Sequence, residues 1–254
     1  MKDATTTIGQ GDIAFQEKLY HDPNPTRRGL HCARREWIES QLMARLQPDD
    51  IVLEVGIGCG VFTRFLVAQG AAVRAVDINP AFLEGVNHLN GVEVKLADAT
   101  YDQGFRDIDI ALCSEVLEHV PPSRSQEMLN QFYAALKPGG VLILSTPQRY
   151  ATVELMARLF KFRPVLTLAK MIYGTAEELG HINLLTRKEL KAQIKAAGFV
   201  IEEQALFGFY LPVIAEIFGN AGASFLQATG KLLAQLPILR GLIWTQAYCL
   251  RKPD

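Results

Sequence analysis

This sequence predicts a doubly wound α/β fold around a mostly parallel sheet of seven strands, and three observations carry that prediction. Short β-branched apolar runs alternate with amphipathic helical stretches from about residue 30 to 205. The first run opens into a turn with glycine at 56, 58 and 60. Proline and glycine fall at the joints between runs: Pro80 at a helix start, and Pro138-Gly139-Gly140 between a helix and the strand after it.

In chain order, residues 1–46 are expected to form an N-terminal helical cap whose Arg34 and Arg35 lie over the ligand edge of the sheet. Its first residues, Met1–Gln10, are polar and threonine-rich and lack a secretory signal pattern. Strands are expected at Ile51–Val55, Ala72–Val76, Val92–Leu96, Ile108–Cys113 and Val141–Ser145, each short and apolar enough for a strand buried on both faces. The helices between them are expected at Val61–Gln69, Ala81–Leu89 and Ser123–Leu136. Thr186 with Glu189 three residues on reads as a capping box, opening a helix that Gly198 ends. Phe199–Ala205 and Ile243–Leu250 complete the strands. With no internal repeat or low-complexity linker, residues 1–254 read as a single domain carrying two apolar insertions, 147–185 and 207–242.

Bulk properties remove some functions. A net charge of -1 with no basic stripe argues against nucleic acid as a partner. Four scattered cysteines (Cys32, Cys59, Cys113 and Cys249) read as reduced core residues of a cytoplasmic protein, not as a disulfide frame or zinc site.

The glycine turn decides the ligand class. Glu54-Val-Gly56-Ile-Gly58-Cys-Gly60 lets backbone approach a ligand where a Cβ would collide, and the following helix directs unpaired N–H groups at it. The dinucleotide spacing needs a glycine where Val61 stands, and the Gly-Lys-Ser/Thr ending of a phosphate loop is absent. What remains is an acid before the turn, Asp77 after the second strand to hold ribose hydroxyls, and Asp98 after the third to accept from an adenine amino group.

EVGIGCG at 54–60, AVDIN at 75–79, LADAT at 96–100, CSEVLEHV at 113–120 and LKPGGVLILSTP at 136–147 occur in one order along residues 30–205. In these motifs the chain resembles the class I S-adenosylmethionine-dependent methyltransferases, and most nearly the ubiquinone-pathway O-methyltransferases. The resemblance implies a Rossmann-like methyltransferase fold with S-adenosyl-L-methionine as cofactor. It sets Gly56, Gly58 and Gly60 against the amino-acid part of that cofactor, with Glu54 nearby. Asp77 then binds the ribose, Ile78 lies against the adenine, Asp98 and Ala99 hold the adenine edge, and Ser114 lies beneath the methionyl moiety. Arg35, or its neighbour Arg34, is a fork for the cofactor carboxylate.

A hydroxyl acceptor must lose a proton, and His119, Glu115 and His181 are the candidate catalytic residues. Glu115, Glu118 and His119 have i, i+3, i+4 spacing, which would set all three on one face of a helix and allow them to hold a divalent cation. The preferred reading leaves the metal out and has Glu118 and His119 brace the Pro121-Pro122 turn.

Between Ala205 and Leu250 only Glu216, Lys231 and Arg240 are charged, yet no run reaches the ~18 uninterrupted apolar residues of a membrane span. Both insertions should emerge at the ligand edge, as helical lids suited to a hydrophobic small-molecule substrate, a peripheral membrane contact, or both. A homodimer interface is the competing use of the same surface. The function expected is methyl transfer to a hydrophobic or lipid-like molecule at oxygen. The alternatives are N- or C-methylation of a natural product, and cofactor binding without turnover.

Overall fold

The computed structural model describes residues 16–102, 104–159 and 181–254. Seven strands form one sheet in the order β3-β2-β1-β4-β5-β7-β6. They are β1 (Ile51–Val55), β2 (Ala72–Asp77), β3 (Val92–Leu96), β4 (Ile108–Ser114), β5 (Leu136–Pro147), β6 (Val200–Phe207) and β7 (Thr245–Arg251). Pairing is parallel from β3 through β5, while β7 runs antiparallel to both β5 and β6. Strand order reverses beside β1, so the carboxyl ends of β1 and β4 meet at the switch point where such sheets bind ligands.

The apolar strand runs are explained by burial on both faces. Along β4, Ile108, Ala111 and Cys113 join a cluster with Met128, Leu129, Phe132, Leu190 and Ile194. Its Ile110 and Leu112 join the opposite cluster with Ile38, Leu42, Phe62, Leu66 and Phe82. Helices α1 (Pro25–Met43), α2 (Val61–Ala68) and α3 (Pro80–Glu84) thus cover one face, and α4 (Ser125–Ala135) and α6 (Arg187–Ala196) the other. Their ends follow from local chemistry. Asn24 accepts from Thr26 N and Arg27 N at the start of α1, with Pro25 in the first turn. Thr186 and Glu189 form the reciprocal capping box of α6.

Helix α3 is shorter than the pattern 81–89 promises, ending at Glu84 with Gly85 as its cap. Gly85, Val86, Asn87 and His88 are all weak helix formers, and the chain turns there instead. In the first insertion, α5 (Thr152–Leu159) lies within the described residues, and 160–180 lie outside them. The second insertion folds as α7 (Pro212–Ile217), α8 (Gly219–Gln235) and a 3-10 turn at Leu239–Leu242. Phe209, Ala215, Leu226 and Ile243 form its own small core. Leu30 of α1, Ala151 and Trp244 form a second contact that ties both insertions to the cap helix. Among the described residues no helix is long and apolar enough to cross a membrane.

Candidate active site

The glycine turn sits at the carboxyl end of β1 with all three glycines in the left-handed region, at φ 73, 52 and 72. Close approach enforces glycine at 56 and 60: a Cβ at Gly56 would lie 2.1 Å from Val116 Cγ2, and one at Gly60 would lie 2.6 Å from Val86 Cγ1. The Gln16 amide oxygen leans over Gly58 and accepts from Cys59 N at 2.8 Å.

Two acids brace this turn. Glu54 is 2% exposed and accepts from Thr63 Oγ1 at 2.7 Å, which places it beneath the turn. Burial, with the Asp77 charge adding to it, pushes its carboxyl up to about 8 against the hydroxyl's opposing pull. Asp77 ends β2, is also buried, and accepts from Asn79 N at 2.9 Å, with the backbone N–H groups of Gly58, Ile57 and Ile78 nearby. Burial raises its carboxyl above the usual range, and those N–H groups oppose the rise. Next to it Ile78 projects an exposed apolar side chain. An acid and an apolar platform side by side, above a turn that a Cβ would fill, fit a ribose and adenine. Asp98 accepts from Thr100 N and Oγ1, which fixes the loop after β3 with Ala99 half-buried beside it.

The segment after β4 departs from the helical reading. Glu115 takes a left-handed φ of 57, and only Leu117–His119 form a 3-10 turn before Pro121-Pro122 closes it. Glu115 therefore does not share a face with Glu118 and His119. Its carboxylate pairs with Arg34 Nη1 at 3.0 Å and accepts from Ser145 Oγ at 3.2 Å, and Ser145 Oγ lies 3.0 Å from Ser114 Oγ. Arg35, by contrast, is paired with Glu39 one turn along α1. It is Arg34 that lies buried at this edge, held by Glu115 and Tyr20.

What gathers around Glu118 and His119 is His181. The backbone N–H groups of Ile182 and Asn183 donate to Glu118 O, pulling the start of that loop over the 3-10 turn. The His119 and His181 rings meet edge to face with centroids 5.2 Å apart. Ligand atoms of Glu118, His119 and His181 lie within 4.8 Å of one another. Glu118 is 1% exposed; its Oε2 accepts from Thr146 Oγ1 at 3.0 Å, while its Oε1 has no hydrogen-bond partner among the described residues. Burial and the neighbouring Glu115 charge push the Glu118 carboxyl well above its ordinary range. Among the described residues, the set able to meet one cation is thus Glu118, His119 and His181, with Glu115 outside it.

Sequence reasoning passed over Glu154 in α5. Its carboxylate is buried, with Oε1 2.9 Å from His181 Nδ1 and accepting from Trp244 Nε1 at 3.2 Å. A lone acid in the apolar stretch 151–156 was the available signal, because a buried charge requires partners.

Comparison with known proteins gives the family of the chain. Residues 27–204 match the family model of a methyltransferase domain. A ubiquinone biosynthesis O-methyltransferase of Bordetella avium is 30% identical over 225 residues, covering 83% of this chain and 88% of that protein. One from Azotobacter vinelandii is 32% identical over 165 residues, 60% of this chain and 69% of that protein. In fold, the chain is similar to magnesium protoporphyrin IX methyltransferase from Synechocystis PCC 6803, solved with bound S-adenosylhomocysteine (TM-score 0.61, 15% identity, 96% and 95% of the two chains). With this match spanning the glycine turn, the Asp77 strand end and the histidine pair, the chain belongs to the methyltransferase-domain family and is an S-adenosylmethionine-dependent methyltransferase.

Proposed function

We propose that the chain methylates a hydroxyl oxygen on an apolar small molecule, with His181 or His119 taking the proton. The observation that carries this reading is the edge-to-face pair of imidazoles after β4, beside the apolar insertions. S-adenosylmethionine, when bound, supplies a methyl group on a sulfonium, open to in-line displacement. The chain's own task is placement: the glycine turn, Asp77, Ile78, Asp98 and Ala99 hold the nucleoside and amino-acid parts, while Arg34 is buried and paired with Glu115. Orientation of two reactants contributes on the order of 7–11 kcal/mol. Proton removal by a placed base adds roughly 10²–10⁴-fold. Glu115, paired with Arg34, serves position and not proton transfer.

Support for an apolar acceptor comes from the second insertion. Val213, Ile217, Phe218, Phe225 and Leu232 are all exposed, and Ile238 is 92% exposed. Phe225 and Leu232, seven residues apart, lie on one side of α8, a helix whose charge is Lys231 and no acid. Such a face suits a cytoplasmic enzyme that meets an anionic bilayer surface holding its acceptor. The O-methyltransferase names of the sequence relatives point to the same atom.

The test is transfer of labelled methyl from S-adenosylmethionine to lipophilic acceptors bearing a phenol, an amine or neither, offered free and in phosphatidylglycerol vesicles. Methyl ether formation, greater from vesicles, is the expected result. His181→Ala and His119→Ala are each expected to lower kcat by about 10²-fold or more with cofactor affinity kept. Transfer confined to nitrogen or carbon would overturn the oxygen reading, and equal rates in the two formats, with a dimer in sedimentation, would reassign the apolar face. A second reading rests on the unpaired, buried Glu118 Oε1: a divalent cation held by Glu118, His119 and His181 that lowers the acceptor's pKa. Turnover abolished by a chelator and restored by Mg²⁺ or Zn²⁺ would establish it, and turnover indifferent to the chelator would remove it.

A further inference from the structure

We infer that Glu154 is a positioning residue that sets the tautomer and the facing of His181. The inference rests on the histidine reading above and adds the group that makes His181 usable. A neutral imidazole carries its proton on either nitrogen, and the partner of one nitrogen decides the state of the other. Here Nδ1 faces the Glu154 carboxylate at 2.9 Å, an acceptor only, so the proton belongs on Nδ1. Nε2 is thereby left as the lone-pair nitrogen.

The surroundings make this assignment firm. The side chains of Glu154 and His181 are 4% and 10% exposed, so water does not compete for the contact. Trp244 Nε1, a donor only, binds the same Glu154 oxygen at 3.2 Å and fixes the carboxylate from the residue just before β7. Against the ring stand His119, its centroid 5.2 Å away, and Glu118, with ligand atoms of the three side chains within 4.8 Å of one another. His181 thus bridges the buried carboxylate of α5 and the proton-handling side of the site. An acceptor O–H approaching that side meets a nitrogen able to take its proton, while the proton already on Nδ1 stays with Glu154. Because Glu154 lies in the first insertion and Trp244 immediately precedes β7, the first insertion must be docked against the sheet before the imidazole is set.

The tautomer is measured directly by ¹⁵N NMR of the histidine-labelled protein. The wild type should show His181 protonated on Nδ1 and bare on Nε2. In Glu154→Gln, an isosteric change whose amide either donates or accepts, the His181 signals should move to a tautomer mixture. The kcat should fall about 10–100-fold, with KM for S-adenosylmethionine and the melting temperature little changed. Trp244→Phe keeps the carboxylate and should preserve the tautomer with a smaller loss of turnover. An unshifted His181 spectrum in Glu154→Gln, or equal losses in both variants, would overturn the inference. If instead His181→Ala leaves turnover intact, the base reading fails while the spectral result still decides the Glu154 contact.

Discussion

Asp77→Ala should lower affinity for S-adenosylhomocysteine by at least about 100-fold in calorimetry, the largest loss expected from any single change at the cofactor edge. The carboxylate has two tasks at once. It accepts from Asn79 N, lies near enough to the backbone N–H groups of Gly58, Ile57 and Ile78 for them to favour its charge, and ends the second strand where the ribose hydroxyls are expected. Alanine leaves the Asn79 N–H unpaired, at a cost of about 1–3 kcal/mol, so the segment after β2 should loosen. Asp77→Asn separates the tasks, because one acceptor oxygen remains while the charge is lost. An intermediate affinity with a near-native melting temperature is expected there. An Asp77→Ala protein that binds within about threefold of the wild type would show that the carboxylate serves the turn alone.

The second large effect is on stability, and its sign follows from Glu54. Its folded-state carboxyl is held at about 8 against an ordinary 4.5, so the fold favours the protonated form. A group raised in this way contributes fully below its unfolded value, and its contribution is lost as pH rises through the folded value. Between pH 4.5 and 8 the wild type should therefore lose stability, on the order of 4 kcal/mol from this group by pH 9. Glu54→Gln keeps an acceptor for Thr63 Oγ1 and cannot ionise, so its denaturation midpoint should fall less steeply and exceed the wild type's most at pH 9. Glu118 is raised by the same cause and stays in the variant, so the slope is reduced and not abolished. Parallel curves for the two proteins would show that Glu54 ionises freely in the fold.

The framework was legible because its signals are local. A strand buried on both faces must be apolar throughout, and the inner runs announced themselves that way, while the edge strands β3 and β6 carry charged residues and are largely exposed; the acids at 77 and 98 stood out after the strand ends. The errors lie where meaning depends on phase or on distant partners. Leu30, Arg34, Ile38 and Leu42 recur at i+4 along the buried side of α1, so helical phase already distinguished Arg34 from Arg35. Nothing local marks Glu115 as left-handed, and that one backbone angle turned it from its neighbours toward Arg34. The capping-box helix was readable at Thr186, whereas the Glu154–His181 contact joins residues 27 apart across an insertion. The 160–180 stretch, read as part of a lid, lies outside the described residues.

The antiparallel setting of β7 has a consequence for how such an enzyme changes its substrate. Phe207 pairs with Thr245, and Trp244 N donates to Gly208 O at 2.7 Å, so residues 208–244 leave and re-enter the sheet through one closed stem. The entropic cost of closing an excursion grows only with the logarithm of its length. Insertions and deletions in this segment are therefore expected to leave the strand pairing of the sheet in place. On the proposed function, the segment would act as an exchangeable cassette, free to diverge while the glycine-turn half stays fixed.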